Sequence, residues 1–127
     1  MDHLNELKTL DFPQDKFAIF GSGPMAIRGI RESHDIDIIV KYDLWDELEH
    51  KYPSALHQNP TCLKIGNIEI FKDWPPLLGR INEIIDSAET ISGFPFVKLK
   101  YVVEWKNHFG REKDLKDIKL IQKYLNN

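Results

Sequence analysis

The stretch IFGSGPMAIRGIRESHDIDIIV, residues 19–40, constrains this chain more than any other part of it. KFAIF reads as a short buried strand that stops at Gly21, Pro24 suits the first turn of a helix, and PMAIRGIRE carries that helix across Gly29. DIDIIVK then alternates acid and isoleucine before turning wholly apolar, which is the pattern of a central strand. Side chains in a strand alternate faces, so Asp35 and Asp37 share one face while Ile36, Ile38 and Val40 share the other and enter the core. Carboxylates two residues apart on a strand sit about 7 Å from each other. At an effective dielectric of ~20 they repel by on the order of 2 kcal/mol, and the pair therefore calls for a cation.

A third acid follows the same rule. NIEIF repeats the apolar-acid-apolar pattern, so Ile68 and Ile70 face the core and Glu69 faces away. If IEIF lies beside DIDII, then Asp35, Asp37 and Glu69 form one hard-oxygen donor set, suited to Mg²⁺ with Mn²⁺ as the alternative. Three such acids can hold two metal ions, one activating a hydroxyl and one neutralising a departing pyrophosphate. The turn Gly21, Ser22, Gly23 supplies a matching anion pocket. Glycine lets backbone approach a ligand, N–H groups at a strand-to-helix turn face an anion, and the Ser22 hydroxyl can donate to phosphate. Each feature also has a plainer reading: the turn can simply cap a helix, and Arg28 or Arg31 can pair with the aspartates. Arg31 stands either as a phosphate contact or as an orienter of the aspartates.

The remaining pattern builds one α/β (α+β) unit, a small mixed β-sheet covered by helices, with two C-terminal helices. DLWDELEHKY is a helix with Asp43 as N-cap, an apolar face of Leu44, Trp45, Leu48 and Tyr52, and Pro53 as the stop. CLKI and IEIF form a hairpin around Gly66-Asn67. PPLLGRINEIIDSAE reads as a helix despite Gly79, and FPFV as a short strand after Gly93. KLKYVVEWKNHF ends at Gly110, a left-handed cap, and DLKDIKLIQKYL aligns Leu115, Ile118, Ile121 or Gln122, and Leu125 along one face. On the plainer reading of this end, Asp114 caps the last helix with Asp117 in its first turn, and Arg111 and Lys113 pair with them at the surface. Trp45 and Trp105 fall on apolar helix faces, and Trp74 either walls a base pocket or packs a loop.

At 127 residues the chain is too short for two independent cores, and one domain is expected over residues 1–127. No apolar run approaches the ~20 residues of a membrane span, and the acidic start lacks a signal-peptide core. A lone cysteine, Cys62, fits a reducing cytoplasm, and with His57 it makes neither a zinc set nor a nucleophile pair. The net charge of −3 hides an asymmetry. Residues 1–97 hold 9 Lys+Arg against 16 Asp+Glu, whereas residues 98–127 hold 8 against 4. A basic end of this kind suits a nucleotide or RNA, or is a solvated helix face.

The GSG turn followed by RESHDIDIIV resembles the glycine-serine and Asp-x-Asp signature of polymerase-beta-type nucleotidyltransferases. More narrowly, G-x-R-x-S-x-D-I-D is similar to the bacterial AbiEii-type toxin group, in which a glycine pair usually stands at Gly21-Ser22. WKNHFGREKDLKDIKLI is similar to the Lys, Arg-x-Lys-Asp and Asp-Ile pattern that closes many small nucleotidyltransferase domains. The resemblance spans residues 17–121. It implies a nucleotidyltransferase-like fold, Asp35 and Asp37 as metal ligands, Glu69 as the third catalytic carboxylate, and Gly21, Ser22 and Gly23 as the triphosphate turn. Lys106 and Arg111, in the C-terminal motif, would lie near the nucleotide. The implied activity is Mg²⁺-dependent transfer of an NMP from an NTP to a hydroxyl on an unidentified acceptor, whether RNA, protein or small molecule. The alternative is a non-catalytic, nucleotide-binding or antitoxin-like module of the same fold.

Overall fold

The computed structural model of the protein describes residues 1–126. Its centre is a mixed sheet whose strands are β1 (Phe17–Phe20), β2 (Ile36–Val40), β3 (Leu56–His57), β4 (Cys62–Ile65), β5 (Ile68–Phe71), β6 (Glu89–Ile91) and β7 (Phe94–Phe96). Their spatial order is β3-β4-β5-β2-β1-β7-β6. β2 is the middle strand, as its run of apolar residues requires: it pairs antiparallel with β1 and parallel with β5. Alternation divides the core in two. Phe17, Ile19, Ile36, Ile38 and Val40 enter one cluster, while Ala18, Phe20 and Ile39 enter the other.

The first cluster is covered by α1 (Leu4–Leu10) and α3 (Tyr42–Lys51), which contribute Leu7, Leu44, Trp45 and Leu48. The second is covered by α4 (Ile81–Asp86), α5 (Leu99–Phe109) and α6 (Glu112–Leu125), through Ile84, Val102 and Ile121 among others. Asp37 and Glu69 alternate with residues of the first cluster, so both point to the α5–α6 side. Among the described residues no helix is long and apolar enough to cross a membrane.

Several local expectations need correction. The helix after Gly-Ser-Gly, α2 (Gly23–Ile27), is only five residues long, because Gly29 turns left-handed at φ +73 and breaks it. α3 starts one residue before Asp43, which sits in its first turn and accepts a bond from Lys16 Nζ at 2.7 Å instead of capping. The segment PPLLGRINEIIDSAE is helical only over α4. Gly79 at φ +79 interrupts the preceding turn, which leaves Leu78 exposed. Glu89, read as the end of that helix, instead opens β6, which returns into β7 through Ser92-Gly93, both at positive φ as in a type I′ hairpin turn.

On α6 the buried positions are Asp114, Asp117, Ile118 and Ile121, while Leu115 and Leu125 are exposed. The helix thus lies about one residue step away from the face its leucines suggest, with acids turned inward. The α1 helix gave no sequence signal that set it apart. It is fastened to the β4–β5 turn by Glu6, whose carboxylate accepts from the Asn67 backbone N–H at 3.1 Å.

Gly23 is a packing glycine. A Cβ there would stand 2.4 Å from Ile19 Cγ2, which belongs to the core of β1 and cannot swing aside. Gly23→Ala is therefore expected to lower stability by about 1–3 kcal/mol in urea unfolding, the usual range for overpacking a core. Gly93→Ala makes a steric control, since a Cβ there meets nothing within 4 Å and the cost comes from its φ of +84 alone.

Candidate functional site

The register between β1 and β2 builds the site. Phe20 stands opposite Asp37, so the chain leaving β1 passes directly over the Asp37 carboxylate. A Cβ on Gly21 would lie 2.9 Å from Asp37 Oδ2, and Gly21 also has φ +69, so two independent reasons require glycine there. Parallel pairing of β2 with β5 then sets Glu69 beside Asp37 as its register partner. The expected adjacency of IEIF and DIDII is thus present in the sheet.

Asp35 differs from that expectation. It lies one residue ahead of β2 and is exposed, with its backbone carbonyl accepting a bond from the Ser33 hydroxyl at 3.1 Å. Among the described residues no group of three or more His, Cys, Asp or Glu side chains is drawn together as a metal centre. What the fold does bring together is the Asp37–Glu69 pair, with Lys64 Nζ 3.8 Å from Glu69 across the β4–β5 ladder. Burial raises Asp37 most, followed by the charges of Glu69 and Asp35 and a hydrogen bond shared with Glu69, and together they carry its pKa to about 7. Such an edge of carboxylate oxygens in mutual repulsion matches the hard-oxygen preference of Mg²⁺ or Mn²⁺.

The cationic half of the site comes from elements distant in sequence. A cavity of 220 Å³ is lined by Gly21, Ser22, Arg31, Asp37, Trp105, Lys106, Arg111, Lys113, Asp114 and Asp117. Larger clefts of 470 and 480 Å³, at Lys16, Lys41 and Asn82 and between α1 and the β6–β7 turn, hold none of the anticipated residues, and one of 370 Å³ beside Gly29 and His34 holds Arg31 alone of them. Lys106 and Arg111, expected near the nucleotide only by resemblance, share the smaller cavity with Arg31, Gly21 and Ser22. Ser22 Oγ donates to Ser33 Oγ at 3.0 Å, which fastens the turn to the segment leading into β2.

Arg31 and Arg28 do not pair with the aspartates of DIDII. Arg31 Nη1 meets Asp117 at 2.7 Å, and Arg28 Nη2 meets Glu89 at 3.0 Å. Nor does Asp114 cap α6 from outside. It is the third residue of the helix, buried, and its carboxylate accepts from the Arg111 backbone N–H at 3.2 Å and from Arg111 Nε at 2.7 Å. The Arg111 guanidinium holds the Asp114 carboxyl below the ordinary carboxylate range.

Of the two readings of Trp74 the packed one holds, whereas Trp105 is less buried than its apolar helix face suggests. Trp74 is buried against Phe20 and Trp105 with ring centroids 5.0 and 5.5 Å away, while Trp105 is the half-buried ring that reaches the cavity. Asp114 and Asp117 were missed as inward-facing residues because their spacing from Ile118 and Ile121 reads equally well as a helix start. Their four-residue offset from the buried pair was the available signal. No protein-family model and no characterised protein matches the chain.

The carboxylate edge has a pH consequence. Asp37 is raised in the folded state, so its contribution favours folding below the unfolded value of 3.8 and is lost as pH climbs through about 7. In a chelator, Asp37→Asn is expected to raise thermal stability relative to wild type by an amount that grows from pH 4 to about 7 and then levels off. For this partly exposed carboxyl the plateau should be on the order of 2 kcal/mol. Paired melts across that range measure it, and a pH-independent difference would contradict the assignment.

Proposed function

We propose that this chain is a small nucleotidyltransferase that moves an NMP group from an NTP to a hydroxyl acceptor, on a nucleotidyltransferase-like fold. The observation that carries the proposal is the convergence on one cavity of the Gly21-Ser22 turn, Asp37 and the cations Arg31, Lys106 and Arg111. A triphosphate laid in this cavity meets a glycine turn at one wall and positive charge at the other. Its reacting end falls beside the Asp37–Glu69 edge. Asp37 and Glu69 would hold a divalent ion, with exposed Asp35 free to approach. Once bound, that ion supplies charge neutralisation at the α-phosphate and the pyrophosphate.

The residues of the chain then have separate tasks. Arg31 and Arg111 bind the phosphate chain through charge-assisted N–H donors. Lys106 adds a point charge, and the turn keeps the phosphates against β1. The acceptor oxygen attacks the α-phosphorus, the bond to the bridging oxygen breaks, and the acceptor proton is lost as pyrophosphate leaves. No covalent enzyme intermediate is needed. RNA, protein and small-molecule hydroxyls are all compatible with this cavity as the acceptor.

The second reading, a module that binds nucleotide without turnover, is favoured by one observation: Asp35 stands outside the pair and the acids are not gathered as three. Incubating the protein with each labelled NTP, Mg²⁺ or Mn²⁺, and pools of RNA, protein and metabolites separates the two. Label transfer that Asp37→Asn and Glu69→Gln each reduce to background supports the enzyme. Asp35→Asn should cost less than either. Nucleotide-dependent thermal stabilisation, ~2.7 kcal/mol at a hundredfold excess over Kd, without label transfer supports the module. No stabilisation by any NTP with either ion defeats both.

A further inference from the structure

Lys106, Asp114 and Asp117 are the buried charged residues among those described, and all three lie beside the cavity of the Gly-Ser-Gly turn. They form an unbroken chain of alternating charge. Arg31 Nη1 and Lys106 Nζ meet the same oxygen, Asp117 Oδ2, at 2.7 and 2.9 Å. Lys106 Nζ lies 3.8 Å from Asp114 Oδ1, and Arg111 Nε lies 2.7 Å from Asp114 Oδ2. The side chains of Lys106, Asp114 and Asp117 are 7%, 2% and 9% exposed, whereas those of Arg31 and Arg111 are 44% and 52% exposed. Each arginine is therefore pinned through part of its guanidinium by a buried acid and has donors left over.

Stability alone gives a poor account of this arrangement. Buried ion pairs lose most of their attraction to desolvation, and apolar residues of similar size hold two helices together as well or better. The five residues also carry three positive charges against two negative, so a net positive charge remains at the wall facing Gly21 and Ser22.

We infer that Asp114 and Asp117 are positioning residues for an oligophosphate: they act through Arg31, Lys106 and Arg111, fixing the three cations in place before it binds. This rests on the nucleotide reading above and deepens it. Preset donors are not reoriented on binding, so less of the interaction is lost to ordering flexible side chains.

Simple charge arithmetic predicts the opposite of positioning, which makes the inference testable. Asp114→Asn and Asp117→Asn each delete a negative charge from the cavity wall. If the acids are spectators, affinity for a polyanion should stay the same or rise. If they position the cations, it should fall, by about tenfold for a charge-assisted contact set loose. Calorimetric titration with inorganic tripolyphosphate and Mg²⁺ reads the phosphate contacts without a base, and circular dichroism checks the fold of each variant.

Asp117→Glu keeps the charge and the pairing while moving the carboxylate by one methylene, and it decides the matter should an asparagine variant fail to fold. Weaker binding at unchanged thermal stability supports positioning, and unchanged binding overturns it. Coupling adds a second readout. The Asp117→Asn effect should shrink in an Arg31→Met background, and full additivity would show that Asp117 does not act through Arg31. If wild-type protein binds neither tripolyphosphate nor any NTP, the nucleotide reading itself fails. If it binds and the acid variants bind as tightly, only the positioning role falls.

Discussion

The antiparallel register that sets Phe20 opposite Asp37 is the contact on which the candidate site depends. It forces the backbone after β1 to cross a carboxylate, and the crossing is possible because Gly21 has no Cβ to meet Asp37 Oδ2. Once the turn is there, Ser22 reaches Ser33 and ties the turn to the segment entering β2. A slip of one residue would send Asp37 into the cluster of Ile36 and Ile38 and turn the isoleucines outward. The hydrophobic effect along β2 thus specifies where its acid stands.

The same strand carries two opposing demands. Burying Ile36, Ile38, Ile39 and Val40 favours a central position in the sheet. That position also takes Asp37 partly out of water and beside Glu69, which is unfavourable for two ionised carboxylates. Core burial outweighs the electrostatic cost, and the carboxyl yields by holding its proton to higher pH. The other wall of the cavity resolves its charges differently, by alternating them so closely that Arg31 and Lys106 share one carboxylate oxygen.

The alternation in DIDII and IEIF was legible because period two is a strong local signal, and it correctly implied which residues face the core. The hairpin at Gly66-Asn67 and the left-handed cap at Gly110 followed from backbone chemistry of the same local kind. The pairing of β2 with β5 could only be posed as a condition, since nothing within a strand names its neighbour. α2 was read too long because apolar spacing continues past Gly29, where the backbone conformation ends the helix. On α6 the leucines misled. Leu115 and Leu125 fit a helical stripe, yet the ion pairs of Asp114 and Asp117 with Arg31, Lys106 and Arg111 turn the acids inward, and the four-residue offset that marks them reads equally well as a helix start.

The division of the site along the chain has a consequence for how it comes into being. All seven strands have been made once residue 96 is reached, and with them the glycine turn, Asp37 and Glu69. Lys106, Asp114 and Asp117 belong to the last two helices, and Arg31 has no acid from them until those arrive. During synthesis the negative edge is therefore written before Lys106, Arg111 and the acids that hold Arg31, with about twenty residues of chain separating a framework from a charged cavity.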